Sequence, residues 1–91
     1  MKMDLDTEIG KAAREDRVVV GFNETFKKLD SLDSVVLASN APVELAEKIR
    51  KEAGEDKILE FDGNNEDLGS ICGKPFSASV VGLEEEDSTG L

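Results

Sequence analysis

A chain of 91 residues holds one domain, and 21 acidic against 11 basic side chains leave it at −10, a balance that argues against casual nucleic-acid binding, where phosphate attraction dominates. The absence of histidine removes imidazole metal sites and His-based triads, and the single Cys72 supports neither an internal disulfide nor a thiolate zinc site. Leu, Ile, Val and Phe still number 25, enough for a thin core, and no long apolar run marks a signal peptide or membrane helix, so the expectation is a soluble, cytoplasmic, non-enzymatic domain without metal or cofactor.

Leu5, Ile9, Ala12 and Ala13 recur at helical spacing, with Asp4 or Asp6 able to cap the start, and predict a first helix ending near Arg14 to Asp16. Arg17 to Gly21 is a short β-branched run, the mark of a strand buried on both faces. Asn23 then caps a predicted helix from Glu24 to about Leu32. Ser34 to Ser39 reads as a second buried strand, and Asn40-Ala41-Pro42 as the turn into a third helix that runs to Ala53. Gly54 stops that helix, and Lys57 to Phe61 is a third strand. Asp62 to Asn65 is a dense turn in which Asn64 or Asn65 caps a short helix through Leu68 to Cys72. Gly73-Lys74-Pro75 breaks it, and Phe76 to Gly82 supplies a last strand.

Helices that alternate with strands imply crossovers that cover both faces of a sheet. The expected fold is an α/β class, three-layer α/β/α sandwich around a central four-stranded mixed sheet. The charge is uneven, since the last thirty residues carry Lys74 alone against seven acids. Four of those are the run Glu84 to Asp87, so the expected division is a domain at 1–83 and an acidic tail at 84–91.

The second helix is where chemistry concentrates. On a helical wheel Phe22, Phe26 and Leu29 fall within about 60° of one another and form the expected core face. Asn23, Glu24, Lys27 and Lys28 occupy the opposite arc. An amide, a carboxylate and ammonium groups thereby gather near free backbone N–H groups, a set of donors and acceptors that suits the edge of a nucleobase. The same pattern also fits a capped helix with two solvated lysines, and spacing alone leaves both open.

Gly21-Phe22-Asn23-Glu24-Thr25-Phe26-Lys27 resembles the Gly-x-Asn-Glu-x-x-Lys signature of the kink-turn RNA-binding ribosomal superfamily, the L-seven-A-e / L-thirty-e group. Val36 to Pro42, Gly63 to Gly69 and Cys72 to Phe76 resemble its L-thirty-e branch, of the archaeal and eukaryotic large subunit. The likeness covers Leu5 to Leu83 and implies an α/β/α sandwich that stabilises one RNA geometry. It places the second helix against tandem sheared G·A pairs. Lys27 would donate to guanine O6 or N7, Glu24 would accept from N1–H or N2–H, and Asn23 would bridge base and backbone. Gly21 would leave room for the phosphate chain, and Asn40 would reach RNA from the next turn, with Lys28 a further RNA-binding residue on the polar arc of the second helix. Lys74 and Phe76 would cover an extruded nucleotide.

The partners so implied are ribosomal or other kink-turn RNA and neighbouring ribosomal proteins, with no membrane, for a chain that is monomeric off the ribosome. Members of the superfamily are usually near-neutral or basic. A charge of −10 therefore suggests a salt-loving archaeal source, where counterions suppress self-repulsion. The alternative is an acidic protein-interaction module of the same fold that does not bind RNA, as with relatives of the Gadd-forty-five stress-response proteins. Cys72 reads as a small buried hydrophobe at a helix end.

Overall fold

The computed structural model describes residues 5–84. Helix α1 spans Leu5–Arg14, β1 Val18–Val20, α2 Phe22–Lys27, β2 Leu32–Leu37, α3 Val43–Ala53, β3 Ile58–Glu60, α4 Asn65–Ile71 and β4 Val80–Glu84. Single 3-10 turns, Leu29–Ser31 and Glu55–Lys57, lead into β2 and β3. The sheet order is β1-β4-β2-β3. β4 lies antiparallel to both β1 and β2, while β2 and β3 run parallel through the α3 crossover.

Period-2 alternation divides the strands between two apolar layers. Val36 and Val81 face Ile9, Ala12, Leu68 and Cys72, so α1 and α4 cover one side of the sheet. Val35, Leu37 and Val80 face Leu29 and Ile49, so α2 with its following turn and α3 cover the other. This is the three-layer sandwich with a four-stranded mixed sheet that the alternation of elements implies. No helix among the described residues is long and apolar enough to cross a membrane.

Three local expectations need correction. The second helix begins at Phe22 and stops at Lys27, and Asn23 makes no cap. Gly21 holds φ +104, a conformation costly for a residue with a Cβ, and so turns the chain from β1 directly into the helix, where its carbonyl accepts from the Thr25 N–H at 3.1 Å. The helix ends before Leu29, yet Leu29 is buried as expected and Phe22 packs on the same cluster, so the buried face differs at Thr25 and Phe26. Thr25 is fully buried, its Oγ1 donating to the Val19 carbonyl at 3.3 Å. Phe26 is exposed instead and stacks on Phe22 with centroids 5.3 Å apart.

The last strand starts at Val80 rather than Phe76. Segment 74–78 bonds to α4 instead of β2, with the Lys74 N–H donating to the Gly69 carbonyl at 3.0 Å and the Ala78 N–H to the Asn65 carbonyl at 2.9 Å. At the other end, Glu84 belongs to β4, its N–H donating to the Arg17 carbonyl at 2.8 Å. The rest of the acidic tail, from Glu85, lies outside the described residues.

Candidate nucleic-acid interface

The strand directions decide which loops meet. β1, β2 and β3 all end, and β4 begins, at one edge of the sandwich. The β1–α2 junction, the β2–α3 turn, the β3–α4 turn and segment 72–79 are therefore neighbours there. Backbone bonds tie them together: Gly21 N–H donates to the Val80 carbonyl at 2.9 Å, Ala38 N–H to Ser79 at 2.9 Å, and Ser39 N–H to Gly63 at 2.8 Å.

Gly21, Asn23 and Glu24 belong to the first of these connections, Asn40 to the second, and Lys74 and Phe76 to the last. Asn23 and Glu24 stand exposed on the first turn of α2, without a capping task to hold their side chains. Lys27 is exposed one turn after Asn23, an i,i+4 spacing that places the two on one face. Lys28 is exposed just past the helix end. These two lysines sit farther from the loop cluster than the rest, and Lys27 borders a small hollow with Asp30 and Glu52.

Phe76 exposes 57 % of its surface, which is unusual for a large ring in a short chain with few aromatics. With Lys74, Pro75, Ser77, Glu66 and Ser70 it lines a groove of about 360 Å³. Beneath this segment Gly69 leaves no room for a side chain, since an added Cβ would run into the Phe76 carbonyl.

Asn40 is not a free side chain. Its Oδ1 accepts from the Asn65 N–H at 2.8 Å and its Nδ2 donates to Asn65 Oδ1 at 3.3 Å. Beside it opens a larger cleft of about 510 Å³, lined by Ala41, Val43, Arg50 and Phe61 among others. Arg50 there is bonded to Glu55 at 3.1 Å and paired with Glu60 at 3.6 Å. The Glu55 hydrogen bond raises the guanidinium pKa further.

The turn into α4 is built by Asn64, which accepts from the Asp67 N–H at 2.9 Å while Asp67 accepts from the Asn64 N–H at 3.4 Å. This reciprocal capping box occupies Asp67 in helix capping, with Glu66 beside it in the first turn. Asn65 and Ser79 join the interface without having been singled out from sequence. Their hydrogen-bond partners are distant along the chain, and Asn65 carries only the local signal of a cap.

The fold is shared with the 15.5 kD RNA-binding protein of Giardia lamblia. The two superpose with a TM-score of 0.78 at 24 % identity, covering 94 % of this chain and 75 % of that one. The chain belongs to the ribosomal protein L7Ae/L30e/S12e/Gadd45 family, whose model it matches over residues 3–91. It is 41 % identical over 69 residues to the large ribosomal subunit protein eL30 of Archaeoglobus fulgidus, covering 74 % of this chain and 78 % of the relative. The eL30 of Methanospirillum hungatei is 32 % identical over 91 residues, with 98 % and 95 % covered. These matches agree with the resemblance read from the motifs, including its L-thirty-e side. Relatives that are ribosomal proteins by name also agree with a non-enzymatic protein.

Proposed function

We propose that this protein is an RNA-binding structural component of the archaeal large ribosomal subunit, in the cytoplasm, and that the RNA it recognises is a kink-turn. What supports the reading is that an uncapped polar helix start, Asn40 and an exposed Phe76 lie on connections whose backbones bond to one another at one edge of the sheet. Archaeal eL30 relatives support the ribosomal setting.

In this reading α2 enters the groove at the sheared G·A pairs. Lys27 donates to guanine O6 or N7, Glu24 accepts from N1–H or N2–H, and Asn23 spans base and backbone. Gly21 allows the phosphate chain to come close. Phe76 stacks on the extruded nucleotide, with Lys74 and Lys28 beside the phosphates and Asn40 between the two loops. Neighbouring ribosomal proteins complete the setting, and the free chain is a monomer.

The acidic surface fits a salt-loving source. Base-edge contacts are short-range, so affinity should hold or improve as KCl rises from 0.1 M to about 1 M and the Debye length falls from ~10 to ~3 Å. The thermal midpoint should rise on going to concentrated KCl, and a midpoint that stays level would sink the halophilic part.

A gel shift tests the whole reading, with a generic kink-turn set against the same RNA with its G·A pairs replaced, at low and high KCl. Preference for the intact motif is expected. Absence of RNA binding at every salt would favour an acidic protein-interaction module instead.

A further inference from the structure

Asn65 uses each of its polar groups to hold two of the facing loops together. It is the first residue of α4, where a backbone N–H has no intrahelical partner. That N–H donates to Asn40 Oδ1 at 2.8 Å. Its side-chain oxygen accepts from Asn40 Nδ2 at 3.3 Å, and its side-chain amide donates to Ser79 Oγ at 3.4 Å. Its carbonyl accepts from the Ala78 N–H at 2.9 Å.

The orientation of both amides follows from this chain of bonds. Asn40 must turn its oxygen toward a backbone N–H, so its nitrogen faces Asn65. Asn65 must then present its oxygen to Asn40 and its nitrogen to Ser79.

We infer that Asn65 is a positioning residue for the RNA interface, a strap that sets the spacing between Asn40 and Phe76 without itself contacting RNA. The inference rests on the kink-turn reading above. Segment 74–78 has no strand partner and is anchored through α4, at Gly69 and at Asn65. Loops restrained before binding lose less freedom when they bind. Asn65 also lies outside both apolar clusters of the core, so its side chain can be removed with little effect on packing.

Two substitutions separate positioning from direct contact. Asn65→Ala removes both side-chain bonds. Asn65→Asp preserves them, because a carboxylate still accepts from Asn40 Nδ2, and the Ser79 hydroxyl donates as readily as it accepts. A negative charge also suits the first turn of a helix. If Asn65 touched RNA, the carboxylate would be repelled by phosphate and the aspartate variant would be the weaker binder.

The experiment measures kink-turn affinity for the parent, Asn65→Ala, Asn65→Asp, Phe76→Ala and the Asn65→Ala/Phe76→Ala pair, with amide NMR spectra of each free protein. Asn65→Ala should bind about five- to tenfold more weakly, the size of a lost hydrogen bond, with a thermal midpoint lowered by no more than about 10 °C and the protein still folded at the assay temperature. Asn65→Asp should stay within about twofold of the parent, and the double variant should lose less than the two single losses combined. In the free Asn65→Ala protein, resonances of residues 39–41 and 76–79 should both move. Parental affinity for Asn65→Ala, an aspartate variant weaker than the alanine one, or shifts confined to the neighbours of residue 65 would overturn the inference and leave the kink-turn reading standing. A parent that does not distinguish the intact motif from the G·A-replaced RNA overturns both.

Discussion

Gly69→Ala tests the packing of the Phe76 segment on α4. Gly69 is buried in α4, and an added Cβ would fall inside van der Waals contact of the Phe76 carbonyl oxygen and 3.1 Å from both the Phe76 carbonyl carbon and Ser77 Cα. Those atoms are backbone, and flanking bonds from Lys74 to Gly69 and from Ala78 to Asn65 restrain them. Helix propensity favours alanine by about 1 kcal/mol. Overpacking against it costs about 1–3 kcal/mol, and displacing the segment loses a hydrogen bond of about 1 kcal/mol. The obstacle is backbone rather than a flexible side-chain tip, which places the cost at the upper end of that range. The net loss is then about 2–3 kcal/mol, or roughly 8–24 °C of thermal midpoint for a domain of this size.

Gly10→Ala is the matched control. It also lies within a helix, α1, and nothing lies within 4 Å of the added carbon, so propensity alone should raise stability by about 0.5–1 kcal/mol. Thermal melts and urea titrations of the two variants should move in opposite directions. The folded Gly69→Ala protein should also bind kink-turn RNA less well than Gly10→Ala. A Gly69→Ala midpoint at or above the parent's would refute the packing argument.

Lys27→Ala should lower kink-turn affinity by about 1–3 kcal/mol with folding unchanged, the worth of a lost guanine contact from an exposed residue; equal binding would count against the G·A recognition. Burial pushes the Cys72 thiol pKa up, so a thiol reagent at pH 8 should label the native protein slowly and the urea-unfolded protein at once. Because the folded pKa is the higher one, this contribution to stability is intact below the ordinary thiol range near pH 8.5 and declines as pH rises through it. Cys72→Ala should remove that slope from a plot of stability against pH, whatever its baseline.

Much of the fold could be read from local patterns. The apolar run 35–37, the stop at Gly54 and the Asn64 cap each act within one element, and each stands where the pattern places it. The misreadings come from forces that act between elements. A wheel drawn through residues 22–29 assumes one continuous helix, but a glycine at positive φ starts the helix early and the chain then tightens into a 3-10 turn. Leu29 is still buried, but Thr25 is buried beside it, with the Val19 carbonyl to satisfy its hydroxyl, and Phe26 is left exposed. Phe76 to Ser79 has strand-like composition, yet close approach to Gly69 holds Phe76 against α4. Site residues on α2 carried a recognisable motif. Asn65 lies within the Gly63 to Gly69 likeness and reads locally as a cap, but its link to Asn40 and Ser79 does not show in sequence, since those partners lie 25 and 14 residues away.

The place of β4 between β1 and β2 has a consequence for the order of assembly. Neither strand pairs with the other, and Val18 reaches its partner Leu83 across most of the chain. During synthesis from the N-terminus, β2, α3 and β3 can assemble as a parallel unit, while β1 waits without a neighbour. Until residues 80–84 emerge, both apolar layers are open and strand edges are bare, the state most prone to stray pairing. Long-range closure of this kind also slows folding relative to a helical chain of equal length. Fragments that stop before Val80 should therefore be sticky and unfolded, and a single late-made strand completes the sheet.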